Sequence, residues 1–175
     1  MLNRLFRPNP TRERGRALYA AVVEQSRTPG LYGALGAPDT VEGRFEIYSL
    51  HVVLVLDRLK QAGPEAKVVS QALFDTYVKA LDHALRELGV GDLSVGRKMR
   101  KLGEAFYGRV KSYQTAFAAL PETTALRDLL TRTVYAEADP AHAPALVDYV
   151  TAQRAHLADQ PLEQILAGKL DWRPA

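Results

Sequence analysis

Gly89-Val-Gly-Asp-Leu-Ser-Val-Gly96, running directly into Arg97-Lys-Met-Arg-Lys-Leu-Gly-Glu-Ala-Phe-Tyr-Gly-Arg-Val-Lys111, decides how this chain folds. Glycine at 89 suits the left-handed residue that ends a helix, because it has no Cβ to clash. Ser94 suits the cap of the next helix, where its hydroxyl can accept an orphan backbone N–H. The stretch therefore predicts a sharp helix–loop–helix joint, with Gly91 and Asp92 in the loop. After the joint, Val95, Met99, Leu102, Phe106, Val110, Tyr113, Phe117 and Leu120 step by three or four, which makes one buried stripe along a helix over 94–120. Arg97, Lys101, Glu104 and Lys111 fall opposite. Gly103 and Gly108 interrupt this helix and suggest a close helix–helix approach or a groove floor.

Working back from the joint, Val69, Leu73, Tyr77, Leu81, Leu85 and Leu88 define a helix over 65–88, with Pro64 at its first position. Asp75 with Lys79, and Asp82 with Arg86, are acid-first pairs on its other side. Before it, either Asp39 or Thr40 caps a helix running to about Ala62. Its middle, Phe45 to Leu59, is apolar on nearly every side and belongs at the centre of a bundle. Periodicity alone could read Val52–Leu56 as a buried strand, but the cap signal and the length favour helix.

At the start, Pro8 and Pro10 predict a loose basic arm over residues 1–16, and Thr11 is a candidate cap for a helix to about Arg27. Thr28–Pro38, broken by proline and glycine, is a loop or a short helical turn. Beyond the joint, helices are expected over about 121–135, from His142 or Pro144 to Leu157, and over 161–168. Trp172, the one tryptophan, could anchor the end or a partner. No period-two pattern is present. The reading is an all-α single-domain bundle of six or seven helices, with residues 136–175 in the same domain as 17–135.

Charge is unevenly placed. Residues 1–16 carry +4 and residues 97–111 carry +5, leaving −6 for the rest of a +3 chain. Two basic clusters on an otherwise acidic chain point to lipid headgroups, RNA or an acidic protein surface, unless they are simply solvated helix faces. The absence of cysteine excludes disulfides and thiolate chemistry. No apolar run approaches the roughly 18 residues that a membrane span needs, and the first sixteen lack a signal-type apolar segment, so cytoplasmic residence is expected.

Catalytic signals are missing. The four histidines, 51, 83, 142 and 156, include no helical ligand pair. His51, inside an apolar helix, reads as a hydrogen-bonded core residue. Gly89, Gly91 and Gly96 fail the dinucleotide fingerprint in spacing and follow a helix, not a strand. Asp39, Asp75, Asp82 and Asp92 are better explained as caps and surface pairs than as acid–base groups. Nothing requires a cofactor, a metal or catalysis, and a non-enzymatic protein is expected.

Several stretches together resemble one family. Pro38-Asp-Thr-Val-Glu-Gly-Arg-Phe45 with Leu50-His51 is similar to a block of the ubiquinol–cytochrome c chaperone family, including Asp39, Thr40, Gly43 and Arg44. So is Gln71-Ala-Leu-Phe-Asp75 followed by Asp82 and Leu85-Arg-Glu-Leu-Gly-Val-Gly-Asp-Leu-Ser-Val-Gly96, which includes Arg86 and Glu87. Lys98, Lys101 and Phe106-Tyr-Gly-Arg109 with Tyr113 complete the order, covering about residues 17–135. The departures are small: Ala37 for Val, Leu88 for Met, Arg97 for Lys and Ser112 for Ala. The resemblance implies an assembly factor for respiratory complex III. Its mitochondrial members bind newly made cytochrome b near the ribosomal exit. This chain would be a bacterial relative working at the cytoplasmic face of the inner membrane, peripherally associated. Arg97, Lys98, Lys101 and Arg109 would face anionic lipid or ribosomal RNA, and Tyr107 would contact an apolar client. An alternative is a helical carrier of an acyl lipid or isoprenoid quinone, suggested by the apolar Phe45–Leu59 helix and by Gly103 and Gly108. A third reading, an RNA-binding helical module, rests on the basic clusters alone.

Overall fold

The sequence order of caps and apolar stripes is realised as α1 (Pro10–Ser26), α2 (Pro29–Tyr32), α3 (Val41–Leu59), α4 (Pro64–Glu87), α5 (Asp92–Ala118), α6 (Thr124–Thr133), α7 (Ala143–Asp159) and α8 (Leu162–Leu166). A 3₁₀ turn, Pro140–His142, precedes α7. This computed structural model describes residues 9–175, all-α with no strand among them. Six of the eight helices have ten residues or more. The part of the expected arm at residues 1–8 lies outside the described residues. Residues 10–16 are not arm but the first turns of α1. Asn9, not Thr11, caps that helix, accepting from the Thr11 and Arg12 N–H groups. Pro10 then sits at the first helical position, where its missing N–H costs nothing.

The central helix is α3, as its all-round apolarity requires. It packs against α1, α4, α5 and α7. Ile47, Leu50, Val52, Val53, Leu54 and Val55 are all buried, each worth about 1.5–3 kcal/mol of apolar transfer. Thr40 is its cap, accepting from Gly43 N–H at 3.1 Å. Asp39 instead pairs with Arg44 at 2.5 Å. The helix stops at Leu59, three residues short of Ala62, because Gln61 and Gly63 both turn to positive φ.

The α4–α5 joint forms around Gly89, with φ +78°. The Gly89 N–H reaches Arg86 O and the Val90 N–H reaches Leu85 O, the paired bonds of a Schellman ending. Ser94 does not cap α5. The helix begins earlier, with Gly91 as the capping residue and no side chain bonded there. Arg86 locks the joint instead, donating to Asp82 at 2.8 Å and to Asp92 across the loop. Asp75 receives Gln71 Nε2 at 2.8 Å and makes no ion pair with Lys79. The buried stripe of α5 is broken, more so in its N-terminal half. Val95, Phe106, Tyr113 and Phe117 are buried, whereas Met99, Leu102 and Val110 are partly exposed. Gly103 and Gly108 meet nothing within 4 Å of where a Cβ would stand, so no helix among the described residues approaches them closely. The close approach lies elsewhere: a Cβ on Gly15 of α1 would stand 2.5 Å from the Ala72 backbone of α4.

α7 and α8 close the far side. Arg58 of α3 donates to Leu157 O at 2.7 Å and Gln160 O at 2.9 Å, capping the end of α7. Arg154 pairs with Asp57 at 2.8 Å. α6 starts at Thr124 rather than at Pro121. No helix among the described residues is long and apolar enough to cross a membrane.

Candidate functional site

Two faces of α3 are used in opposite ways. His51 points to the closed side and is fully buried. Its Nδ1 lies 2.8 Å from Ile47 O, and since a carbonyl can only accept, Nδ1 carries the proton. Nε2 therefore accepts from Tyr149 Oη at 2.7 Å, and Tyr149 accepts from Gln25 at 2.8 Å. Burial pushes the His51 pKa down to about 4, so the ring stays neutral. Trp172 meets His51 edge-on at 5.2 Å and donates to Ala21 O at 3.1 Å. Gln25 and Gln153 both donate to Arg173 O, at 2.9 and 2.7 Å. His51 is thus the core residue its sequence context implied, and Trp172 anchors the chain's end.

The opposite face opens into a groove of about 990 Å³ between α1, α3, α4 and α5. Its apolar lining includes Val23, Phe45, Tyr48, Leu81, Leu88 and Leu102. Charged groups of both signs stand round it: Arg27, Arg44, Lys98 and Lys101, together with Glu42 and Glu87. Arg27 is steadied by Tyr48 Oη at 2.9 Å. Arg44 is held by Asp39 and lies 5.5 Å above the Tyr32 ring. Lys98 and Lys101 are exposed and form no ion pair among the described residues. Tyr19, on the α1 wall, has its pKa pushed up to about 12, first by burial and then by Tyr48, against a counter-pull from Arg27. It remains a neutral phenol at any physiological pH.

The five residues expected to contact partners do not form one patch. Lys98 and Lys101 line the groove, and Arg97 is exposed beside them. Tyr107 is 63% exposed but lies over Phe74, with ring centroids 5.7 Å apart, outside the groove lining. Arg109 is turned inward. Its Nε and Nη2 donate to the two carboxylate oxygens of Glu46 at 2.8 and 2.6 Å, and that hydrogen bonding raises its pKa. Its charge is neutralised inside the fold. Glu46 was missed in the sequence, although a lone carboxylate inside an apolar helix must find a partner.

Among the structural motif residues, Gly43 sits where a Cβ would come 2.1 Å from Pro38 O, so only glycine fits. Arg44, Phe45 and Glu87 border the groove. Asp82, Arg86, Gly89, Gly91 and Asp92 build the joint beside it, and Asp75 and Ser94 take no part. Among the described residues no group of three or more His, Asp or Glu could hold a metal ion.

The profile of the ubiquinol–cytochrome C chaperone family matches residues 33–172, which takes in both walls of the groove contributed by α3–α5 and continues through α8. The chain belongs to this family. A solved structure, a Cbp3 homolog from Brucella abortus, superposes on the chaperone-family fold seen here with a TM-score of 0.83. It is 35% identical, covering 92% of this chain and 89% of that one. Relatives named ubiquinol–cytochrome c reductase complex assembly factor 1 are 28% identical over 160 residues in Homo sapiens and 26% over 161 in Xenopus laevis. Each alignment covers 90% of this chain. It spans 53% of the human protein, so the chain corresponds to about half the length of that relative, and 79% of the frog protein.

Proposed function

We propose that this chain is a non-enzymatic assembly chaperone for cytochrome b of the ubiquinol–cytochrome c reductase, acting at the cytoplasmic face of the inner membrane. The observation that carries the reading is the open groove, an apolar floor ringed by Arg27, Arg44, Lys98 and Lys101, in a chain of this family. A newly made membrane protein presents apolar helices flanked by polar ends. Such a helix can lay its apolar face on Phe45, Tyr48, Leu81 and Leu88, in the manner of helix-in-groove recognition. A contact with the ribosome through the same cations would bring the chaperone to its client during synthesis.

The test is genetic and spectroscopic. Deleting the gene removes the absorbance of cytochrome b and leaves other respiratory complexes intact. Complementation with Val41→Glu/Leu88→Glu, two exposed groove residues, fails to restore it. A deletion strain with normal complex III overturns the proposal. A second reading, carriage of an acyl lipid or isoprenoid quinone, draws on the groove volume, which lies within the roughly 300–1,000 Å³ of small-molecule sites. Mass spectrometry of gently extracted protein distinguishes it: a stoichiometric co-purifying lipid supports the carrier, and none supports the client helix.

A further inference from the structure

The tip of the α4–α5 hairpin has a chemistry that the groove does not explain. Leu93 is 98% exposed and Leu88, across the joint, is 60% exposed. Leu93, Arg97 and Arg100 stand at i, i+4 and i+7 and so share one face of α5, with Lys101 adjoining. Arg97, Lys98, Arg100 and Lys101 are all exposed, and none enters an ion pair among the described residues. Of the acids around the tip, Asp82 and Asp92 are engaged by Arg86, Glu87 lies 3.4 Å from His83 Nδ1, and Glu104, one turn along α5, forms no ion pair with these cations among the described residues. Gly91 and Gly96 meet no neighbour within 4 Å, so none of the described residues folds back over them.

We infer that this tip is a membrane-docking device: Leu93 and Leu88 enter the interfacial layer of an anionic bilayer while Arg97, Lys98, Arg100 and Lys101 bind its headgroups. Charge complementarity selects the partner. Aliphatic side chains held out in water beside four unpaired cations suit a surface with an apolar layer immediately under an anionic one. RNA would satisfy the cations but would leave both leucines in water, since bases stack on aromatic rings and guanidinium planes. The Arg86 bridge and the Gly89 ending hold the tip as a fixed wedge. Leu85, Leu88, Val90, Lys98 and Lys101 also line the groove, so a docked tip sets the groove's end against the membrane surface, where an inserting helix would be met. The inference rests on the assembly reading only for which membrane is involved.

The experiment is co-sedimentation of the purified full chain with vesicles of phosphatidylcholine alone, or mixed with phosphatidylglycerol, at low and high salt. Binding to the anionic vesicles only, weakened by salt, is expected. Each basic residue near such a surface is worth about 1 kcal/mol, so Arg97→Gln/Arg100→Gln lowers partitioning about thirtyfold. Leu93→Gln lowers it about tenfold with no change in thermal unfolding. Lys60→Gln/Lys67→Gln, which removes the same charge roughly 30 Å away along the bundle, stays within about threefold. A Leu93→Trp variant shows blue-shifted emission on the anionic vesicles. Absence of vesicle binding overturns the inference, as does binding that Leu93→Gln leaves intact. So does an equally salt-dependent grip on an RNA oligonucleotide with no grip on vesicles. None of these outcomes touches the cytochrome b reading, which the deletion strain tests separately.

Discussion

The two ends of this bundle treat the same residue type in opposite ways. In the body of the bundle, Gly15, Gly30, Gly36 and Gly43 each lie where a Cβ would stand under 3 Å from a neighbour. On the hairpin, Gly89, Gly91, Gly96, Gly103 and Gly108 meet nothing within 4 Å. The polar groups differ in parallel. His51, Tyr149, Gln25 and Gln153 form a buried chain of bonds, while Arg97, Lys98, Arg100 and Lys101 of α5 stand in solvent with no ion pair among the described residues. One side is a solved packing problem. The other leaves apolar and basic surface uncovered among the described residues, and both proposals above rest on that surface.

That contrast can be broken hardest where the two sides are fastened together. Arg109→Ala leaves Glu46, which retains 10% side-chain exposure, as an unpaired buried carboxylate. Denaturant unfolding should register a loss of about 3–5 kcal/mol. If the loss is negligible, Arg109 is better regarded as a surface residue after all. Acid offers a second way to break the closed side without mutation. His51 titrates at about 4 when folded, below its ordinary 6.5 when unfolded. The unfolded chain therefore binds the proton first. Stability from this group is complete above pH 6.5 and falls as pH drops toward 4, by about 3 kcal/mol in all. A His51→Gln variant measured over the same range should lack that portion of the slope.

Glycine-to-alanine changes sharpen the contrast because their sign should reverse. Gly43→Ala drives a methyl into Pro38 O and should destabilise by about 1–3 kcal/mol. Gly103→Ala, in open space on a helix, should stabilise by about 0.5–1 kcal/mol. Equal signs in thermal unfolding would show that α5 is covered by something not seen here. The smallest effect belongs to Leu93. At 98% exposure, Leu93→Gln should change the unfolding free energy by less than about 0.5 kcal/mol. A larger loss would mean that the leucine supports the fold rather than projecting from it.

Much of the architecture was legible. The apolarity of Phe45–Leu59 located the central helix, and Gly89 located the joint, because burial and positive φ leave strong marks on composition. Helix starts were less legible. Asn9, Thr40 and Gly91 cap where Thr11, Asp39 and Ser94 were equally good on residue type, and only the path of the preceding chain chooses. The groove was half visible: Lys98 and Lys101 were read as a working face, but the wall opposite them, Tyr19, Val23 and Arg27, comes from α1, some 75 residues earlier. Arg109 was misplaced because a basic stretch gives no sign of which cation turns inward. Glu46 was the missing cue. Gly103 and Gly108 suggest a close helix approach or a groove floor on composition alone, whereas the glycine that brings two helices together is Gly15, within the segment expected to be a loose arm.

The tethering of Trp172 and Arg173 has a consequence for the order in which this protein can be made. Trp172 donates to Ala21 O across 151 residues, and the Arg173 carbonyl receives both Gln25 and Gln153. The groove walls come from residues 19–102 and are translated first. The side chains that fasten α1 to α7 behind them arrive about seventy residues later. Such long-range closure is slow relative to local helix formation. A nascent chain has the walls of its groove before it has its lock, and it reaches full rigidity only after Trp172 and Arg173 have been synthesised.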